Sequence, residues 1–248
     1  MPSFDLPVRY YRFYPGDAPV GTAHKVLPLD SAQTALLLID VYHAAEDESA
    51  KDLVNTRWDA AWWQIVNDRL APVIQAGRRL GLPVVYTTNS SPRIQIGRSA
   101  FGMRLGESLG FDPTHDFRQP GVDPTEFDAG ETVQLYIPPH IAPQPGDYYI
   151  RKHTYSGFYE TRLDSLLRNL GVKHLICAGF VADCCVLFTI ADAVFRGYHT
   201  VLLRDCTLAA ELPGEVQTFQ QTQRITLWIE SILGPTTTAA EFLKAAAG

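Results

Sequence analysis

With 248 residues, 46% of them hydrophobic, the chain is long enough to bury a full core, and one large α/β domain fits that length. A formal net charge of −6 and no cluster of Lys and Arg give it no electrostatic footprint for nucleic acid or an anionic membrane surface, so neither partner is expected. It has no run of about 18 apolar residues and no basic segment leading into an apolar one, so neither a membrane span nor a secretory leader is predicted and a cytoplasmic protein is expected.

In chain order, residues 1–32 read as an N-terminal extension of a single domain covering 1–248. The run TALLLID at 34–40 predicts the first strand. Residues 60–80 have helical spacing and stop at Gly81, which suits the left-handed turn after a last helical position. PVVYTTN at 83–89 predicts a second strand. Residues 90–146, rich in Pro, Gly and Asp, read as an inserted loop region, expected to act as a lid or an oligomer contact. DYYIRK at 147–152 predicts a third strand, and residues 158–170 a helix closed by Gly171. HLICAGF at 174–180 predicts a fourth strand. The helix expected over 185–196 is apolar nearly all round, which predicts burial on every side, partly against another subunit. HTVLLRD at 199–205 and RITLWIE at 224–230 complete six predicted strands. Their continuous apolar character predicts a sheet covered on both faces: a three-layer α/β/α, Rossmann-like fold with about six mainly parallel strands and right-handed crossovers.

In such a sheet ligands gather where strands end. Asp40, Asn89, Lys152, the ADCC turn at 182–185 and Asp205 close successive strands. A carboxylate, an ammonium and a thiol at one edge form a nucleophilic set, because a thiol of pKa about 8.5 needs a base or a cation to react near neutrality. Asp40 is expected to take the proton, and Lys152 to hold the carboxylate and keep the thiol ionised, with the helix start adding positive potential. The residues alone leave Cys184 and Cys185 both open as the nucleophile, or as a redox pair. Cys177 and Cys206 sit in apolar surroundings and read as packing residues. The four cysteines lack the spacing of a structural zinc site and the seven histidines are scattered, so no metal and no other cofactor is expected.

Three ordered motifs, LLLID at 36–40, RKHTYSGFYET at 151–161 and GFVADCCVLFTIADAVFRGYHTVLLRDCT at 179–207, resemble the isochorismatase-like cysteine hydrolases, whose pattern at the nucleophile is G-x-x-T-[DN]-x-C-V. Matching Gly179 and Val186 to that pattern implies Cys185 as the nucleophile, with Cys184 on a variable position, and an Asp40, Lys152, Cys185 triad. The resemblance also implies a non-proline cis peptide at Val181-Ala182 that turns the Ala182 N–H toward the Cys185 N–H as an oxyanion hole. The metal motif of nicotinamidase-like members has no counterpart in TTNSSPRIQIGRSAF at 87–101. KHTYSGFYETRLDSLLRNLGVKHLICAGF at 152–180 looks most like the ureidoacrylate branch, which implies a metal-independent amidohydrolase acting on a small ureido or carbamoyl amide through an acyl-enzyme. Other small amides or esters, or a non-catalytic binding protein of the same fold, are the alternatives. A homo-oligomer is expected. The chain departs from the family at VYH (41–43) and at Ala182, where Thr is common. Tyr42, His43, Asn89, Tyr155, Ser156 and Phe158 are the candidate substrate-binding residues, offering polar groups and an aromatic face to a planar ligand. Asp183 is expected to cap the helix beside Cys185, and Trp58, Trp62 and Trp63 to pack in the core.

Overall fold

The computed structural model describes residues 3–14, 20–43, 56–89, 136–212 and 214–248, with positions 100, 103, 104 and 107 between them. Most of the expected lid or oligomer contact at 90–146 lies outside these residues.

The central strand is β3 (Thr34–Ile39), whose residues are all buried. Its side chains alternate: Leu36 and Leu38 join a core on one sheet face, and Ala35, Leu37 and Ile39 a core on the other. A continuous apolar run is therefore what a strand covered on both sides requires. Parallel to it lie β4 (Val84–Asn89) on one side and β6 (His174–Gly179) on the other, followed outward by β5 (Tyr148–Lys152) and β7 (His199–Leu203).

Eight strands form the sheet instead of about six. The residues read as an extension make a hairpin of β1 (Ser3–Arg12) and β2 (Gly21–Asp30), which joins the sheet through β8 (Thr236–Thr237) in the order β2-β1-β8-β7-β6-β3-β4-β5. The hairpin pairing and the β1–β8 contact are antiparallel, and the rest of the sheet is parallel.

The expected strand at 224–230 is instead part of a helix, Gln220–Ile232. Its buried residues are Thr222, Thr226, Ile229 and Glu230, a helical spacing, while Leu227 and Trp228 are exposed. A short β-branched apolar run carries no period long enough to tell the two apart.

Helices cover both faces. α1 (Thr56–Ile65) passes through a π turn (Val66–Leu70) into α2 (Ala71–Arg79), and the turn sits just before Pro72, which has no N–H to donate to the helical ladder. Trp62, Trp63 and Ile74 from this segment pack in the first core. α3 (Leu163–Asn169) starts later than the expected 158, because residues 153–162 are held in turns by side-chain bonds such as Gly157 N–H to Thr189 Oγ1 (2.9 Å) and Thr161 Oγ1 to the Gly157 carbonyl (2.6 Å). A second π turn (Ala182–Val186) leads into α4 (Leu187–Phe195). Within the single chain α4 leaves Phe188 and Phe195 47% and 79% exposed, so the chain itself covers only part of the helix. The Gln220–Ile232 helix is α5, and α6 (Ala239–Ala245) carries a capping box between Thr238 and Glu241. Among the described residues no helix is long and apolar enough to cross a membrane.

Candidate active site

Asp40 follows β3 directly and takes φ +50°, a left-handed conformation that Asp tolerates better than most side chains. Its N–H donates to the Thr87 carbonyl of β4 at 2.8 Å, which fixes the turn at the carboxyl end of the sheet. Beside it Gly179 ends β6 at φ +129°, and a Cβ there would lie 1.8 Å from the Ile39 carbonyl oxygen. Only glycine lets β3 and the turn toward Cys185 approach so closely.

Lys152 is the last residue of β5 and is fully buried. A buried ammonium needs partners on all its protons. Nζ lies 2.7 Å from Asp40 Oδ2, 2.5 Å from Asn89 Oδ1, 3.1 Å from the Thr154 carbonyl and 3.3 Å from Cys185 Sγ. Asp40, Lys152 and Cys185, distant in sequence, are therefore gathered round one nitrogen. The Asp40 contact is close but off axis: among the described residues neither carboxylate oxygen receives a well-aligned hydrogen bond.

Burial pushes the Asp40 carboxyl above the usual carboxylate range, against the pull of the Lys152 charge and the Cys185 thiol. Burial also works against the Lys152 charge, but Asp40 and Cys185 outweigh it and hold the ammonium above its ordinary range. For Cys185, burial and then the Asp40 charge push the thiol well up, and Lys152 offsets only part of this. Burial and the Asp40 charge thus favour the thiol over the thiolate that the sequence led us to expect. The site combines an ammonium, a neutral thiol and a carboxyl of raised basicity, which suits proton removal at the moment of attack.

Two expectations at the turn are corrected. The non-proline cis peptide is Phe180-Val181, one residue before the expected Val181-Ala182. The Ala182 N–H is also committed elsewhere, donating to the Leu208 carbonyl at 2.7 Å. The Val181 N–H has no acceptor among the described residues. Asp183 makes no cap bond to the helical segment; its Oδ1 accepts from the Ala210 N–H at 3.0 Å.

The remaining candidates divide. Tyr42 and Asn89 join the Lys152 cluster, with Asn89 Nδ2 donating to Tyr42 Oη at 2.6 Å. His43 packs between Trp62 and Trp63, with ring centroids 4.9 and 5.5 Å away, and its Nε2 lies 3.4 Å from Asp59 Oδ1. Tyr155 stacks on the exposed Phe188 at 5.6 Å. Ser156 Oγ donates to Asp192 of α4 at 2.5 Å, and Phe158 is buried against Tyr198, so both fasten the loop to its surroundings. Sequence reasoning missed Asp192, whose only signal is a charge inside an apolar helix, and the backbone carbonyls of Thr154 and Leu208, which carry no signal. Trp62 and Trp63 pack in the core as expected, while Trp58 is partly buried and donates from Nε1 to the Ala209 carbonyl at 2.9 Å. Cys177, Cys184, Cys185 and Cys206 are all free thiols. Among the described residues no group of three or more His, Cys, Asp or Glu is gathered to hold a metal ion.

Residues 34–232, which span the sheet edge and all three clustered side chains, match the family model described as the isochorismatase domain. The chain belongs to the isochorismatase family. A ureidoacrylate amidohydrolase, RutB, from Pantoea ananatis is 32% identical over 183 residues, covering 71% of this chain and 69% of that protein. Among solved structures, a cysteine hydrolase from Pseudomonas syringae pv. phaseolicola superposes with a TM-score of 0.64 at 24% identity, over 89% of this chain and 95% of its own, which establishes the shared fold. An N-carbamoylsarcosine amidase from Thermoplasma acidophilum gives a TM-score of 0.51 at 25% identity, over 84% of this chain and 96% of its own.

Proposed function

We propose that this isochorismatase-family chain is a metal-independent cysteine amidohydrolase that cleaves a C–N bond of a small ureido or carbamoyl amide. The observation that carries the reading is the buried meeting of Asp40, Lys152 and Cys185, with Nζ 2.7 Å from the carboxylate and 3.3 Å from the sulfur. These are the parts for proton and acyl transfer: a base, a cation and a nucleophile. The substrate class rests on the ureidoacrylate amidohydrolase at 32% identity and on the N-carbamoylsarcosine amidase among the structural neighbours.

In the first step Asp40 takes the thiol proton as Sγ bonds to the substrate carbonyl carbon. Lys152 stays charged and stabilises the carboxylate before the transfer and the anionic tetrahedral oxygen region after it. The N–H of Val181, which has no acceptor among the described residues, and that of Cys185 in the first turn of its helical segment are assigned as the donors to that oxygen. The C–N bond then breaks, and the nitrogen leaves as ammonia or an amine with the proton from Asp40. Water adds to the acyl-enzyme, giving a proton to Asp40, and the C–S bond breaks as that proton returns to sulfur.

A coupled ammonia assay over ureidoacrylate, biuret and carbamoyl amino acids tests this. Cys185→Ala is expected to lower turnover at least about a thousandfold with unchanged circular dichroism. Turnover retained in that variant overturns the reading.

A further inference from the structure

Starting from Lys152, the hydrogen bonds of the site can be followed in one direction. Lys152 has only protons to give, so the atom of Asn89 that faces it, 2.5 Å from Nζ, is the amide oxygen. That leaves the Asn89 nitrogen pointing at Tyr42 Oη, 2.6 Å away, and makes the tyrosine oxygen the acceptor in this contact. The Tyr42 proton is then directed away from Asn89, and among the described residues it has no acceptor. Burial, followed by the charges of Asp40 and Cys185, keeps this hydroxyl protonated and places it within the field of the same two groups. The chain starts at a cation, so each bond polarises the next and the last O–H is a strengthened donor.

We infer that Tyr42 is a specificity-determining residue whose O–H binds a second acceptor oxygen of the substrate, a carboxylate or a carbonyl other than the one Cys185 attacks, and that Asn89 is a positioning residue that aims this O–H and touches no substrate. This deepens and rests on the amidohydrolase reading. Asn89, a candidate ligand by sequence, has both ends of its amide engaged within the protein.

The test compares ureidoacrylate and biuret, which carry a second acceptor oxygen, with N-methylurea, which does not. Tyr42→Phe keeps the ring and is expected to raise KM for the first two roughly tenfold, the scale of one lost hydrogen bond to a polar ligand, with kcat within about twofold. Its loss of kcat/KM on N-methylurea is expected to be several-fold smaller than on the first two. Asn89→Asp presents an acceptor at both ends, so Tyr42 turns its proton toward it. This variant is expected to lose the same preference for acceptor-bearing substrates, and Tyr42→Phe added to it to lose no more. An unchanged KM in Tyr42→Phe, or an equal loss on N-methylurea, overturns the inference while leaving the amidohydrolase reading intact. A parent protein that releases no ammonia from any of the three overturns both.

Discussion

At the scale of residues, the chemistry turns on where one proton sits. Cys185 is buried beside a carboxylate, and burial raises both groups, so the thiol keeps its proton until Asp40 removes it. Only ionised Asp40 is a base. The rate is therefore expected to rise with pH through an acid limb above the ordinary carboxylate value of 3.8, and to fall only above the ordinary lysine value of 10.5, since Lys152 is also raised. A pH profile of kcat/KM checks this, and an acid limb at or below 3.8 contradicts it. The neighbouring sulfur behaves differently. Cys184 is half-buried, with its thiol pushed up to about 11 by burial and by Asp183, and Lys152 offsets only part of the shift. Cys184→Ser is expected to keep turnover within about threefold, and a loss approaching that of Cys185→Ala would reassign the nucleophile.

At the scale of elements, the site depends on two strand ends that nearly touch. β3 delivers Asp40, and β6 delivers the turn to Cys185 through Gly179. A methyl group at residue 179 would fall 1.8 Å from a backbone oxygen of β3, an overlap that no rotamer change relieves. Gly179→Ala is expected to lower stability by more than about 3 kcal/mol in urea unfolding, and a loss below about 1 kcal/mol would show that the strands can part without cost. β3 and β4 were legible in the sequence because each is an apolar run ending beside a polar residue, Asp40 or Asn89, and β6 because it is a buried apolar run closed by Gly179. The 224–230 run was misread for the opposite reason: its Ile and Thr residues favour a strand locally, while burial of Thr222, Thr226, Ile229 and Glu230 against the sheet selects the helix.

At the scale of the whole molecule, the N-terminal hairpin is joined to the body by core packing of Phe4, Leu6, Val8 and Leu29, by the β1–β8 pairing and by an ion pair. Arg9 Nε of β1 meets Glu230 Oε1 of α5 at 2.7 Å, and Thr236 of β8 donates to the same oxygen at 2.5 Å. The Glu230 side chain is 1% exposed and that of Arg9 35%, so removing Arg9 strands a buried carboxylate whose partner was itself part-solvated. Arg9→Ala is expected to cost about 1–3 kcal/mol, below the range for a fully buried pair, and adding Glu230→Gln should recover part of it. Thermal unfolding of the two variants measures this; equal stability of Arg9→Ala and the parent would mean that strand pairing and core packing hold the hairpin without the ion pair. The alternation of Phe4, Leu6 and Val8 with Asp5, Pro7 and Arg9 is a strand period that the reading of residues 1–32 as an extension passed over, while the ion-pair partner, Glu230, lies 221 positions away and has no local signal.

By itself the sequence determined which residue types stand at the ends of which strands, and hence the layered α/β plan and Asp40, Lys152 and a Cys184-Cys185 pair as candidates, because strand periodicity and chain order are local properties; the choice of Cys185 came from the family resemblance. Tertiary structure alone decided the protonation of the sulfur, the fate of each N–H in the 180–185 turn and the direction of the Lys152, Asn89 and Tyr42 hydrogen bonds. Those depend on burial and on which carbonyl or amide arrives from a distant strand, and no stretch of neighbouring residues encodes either.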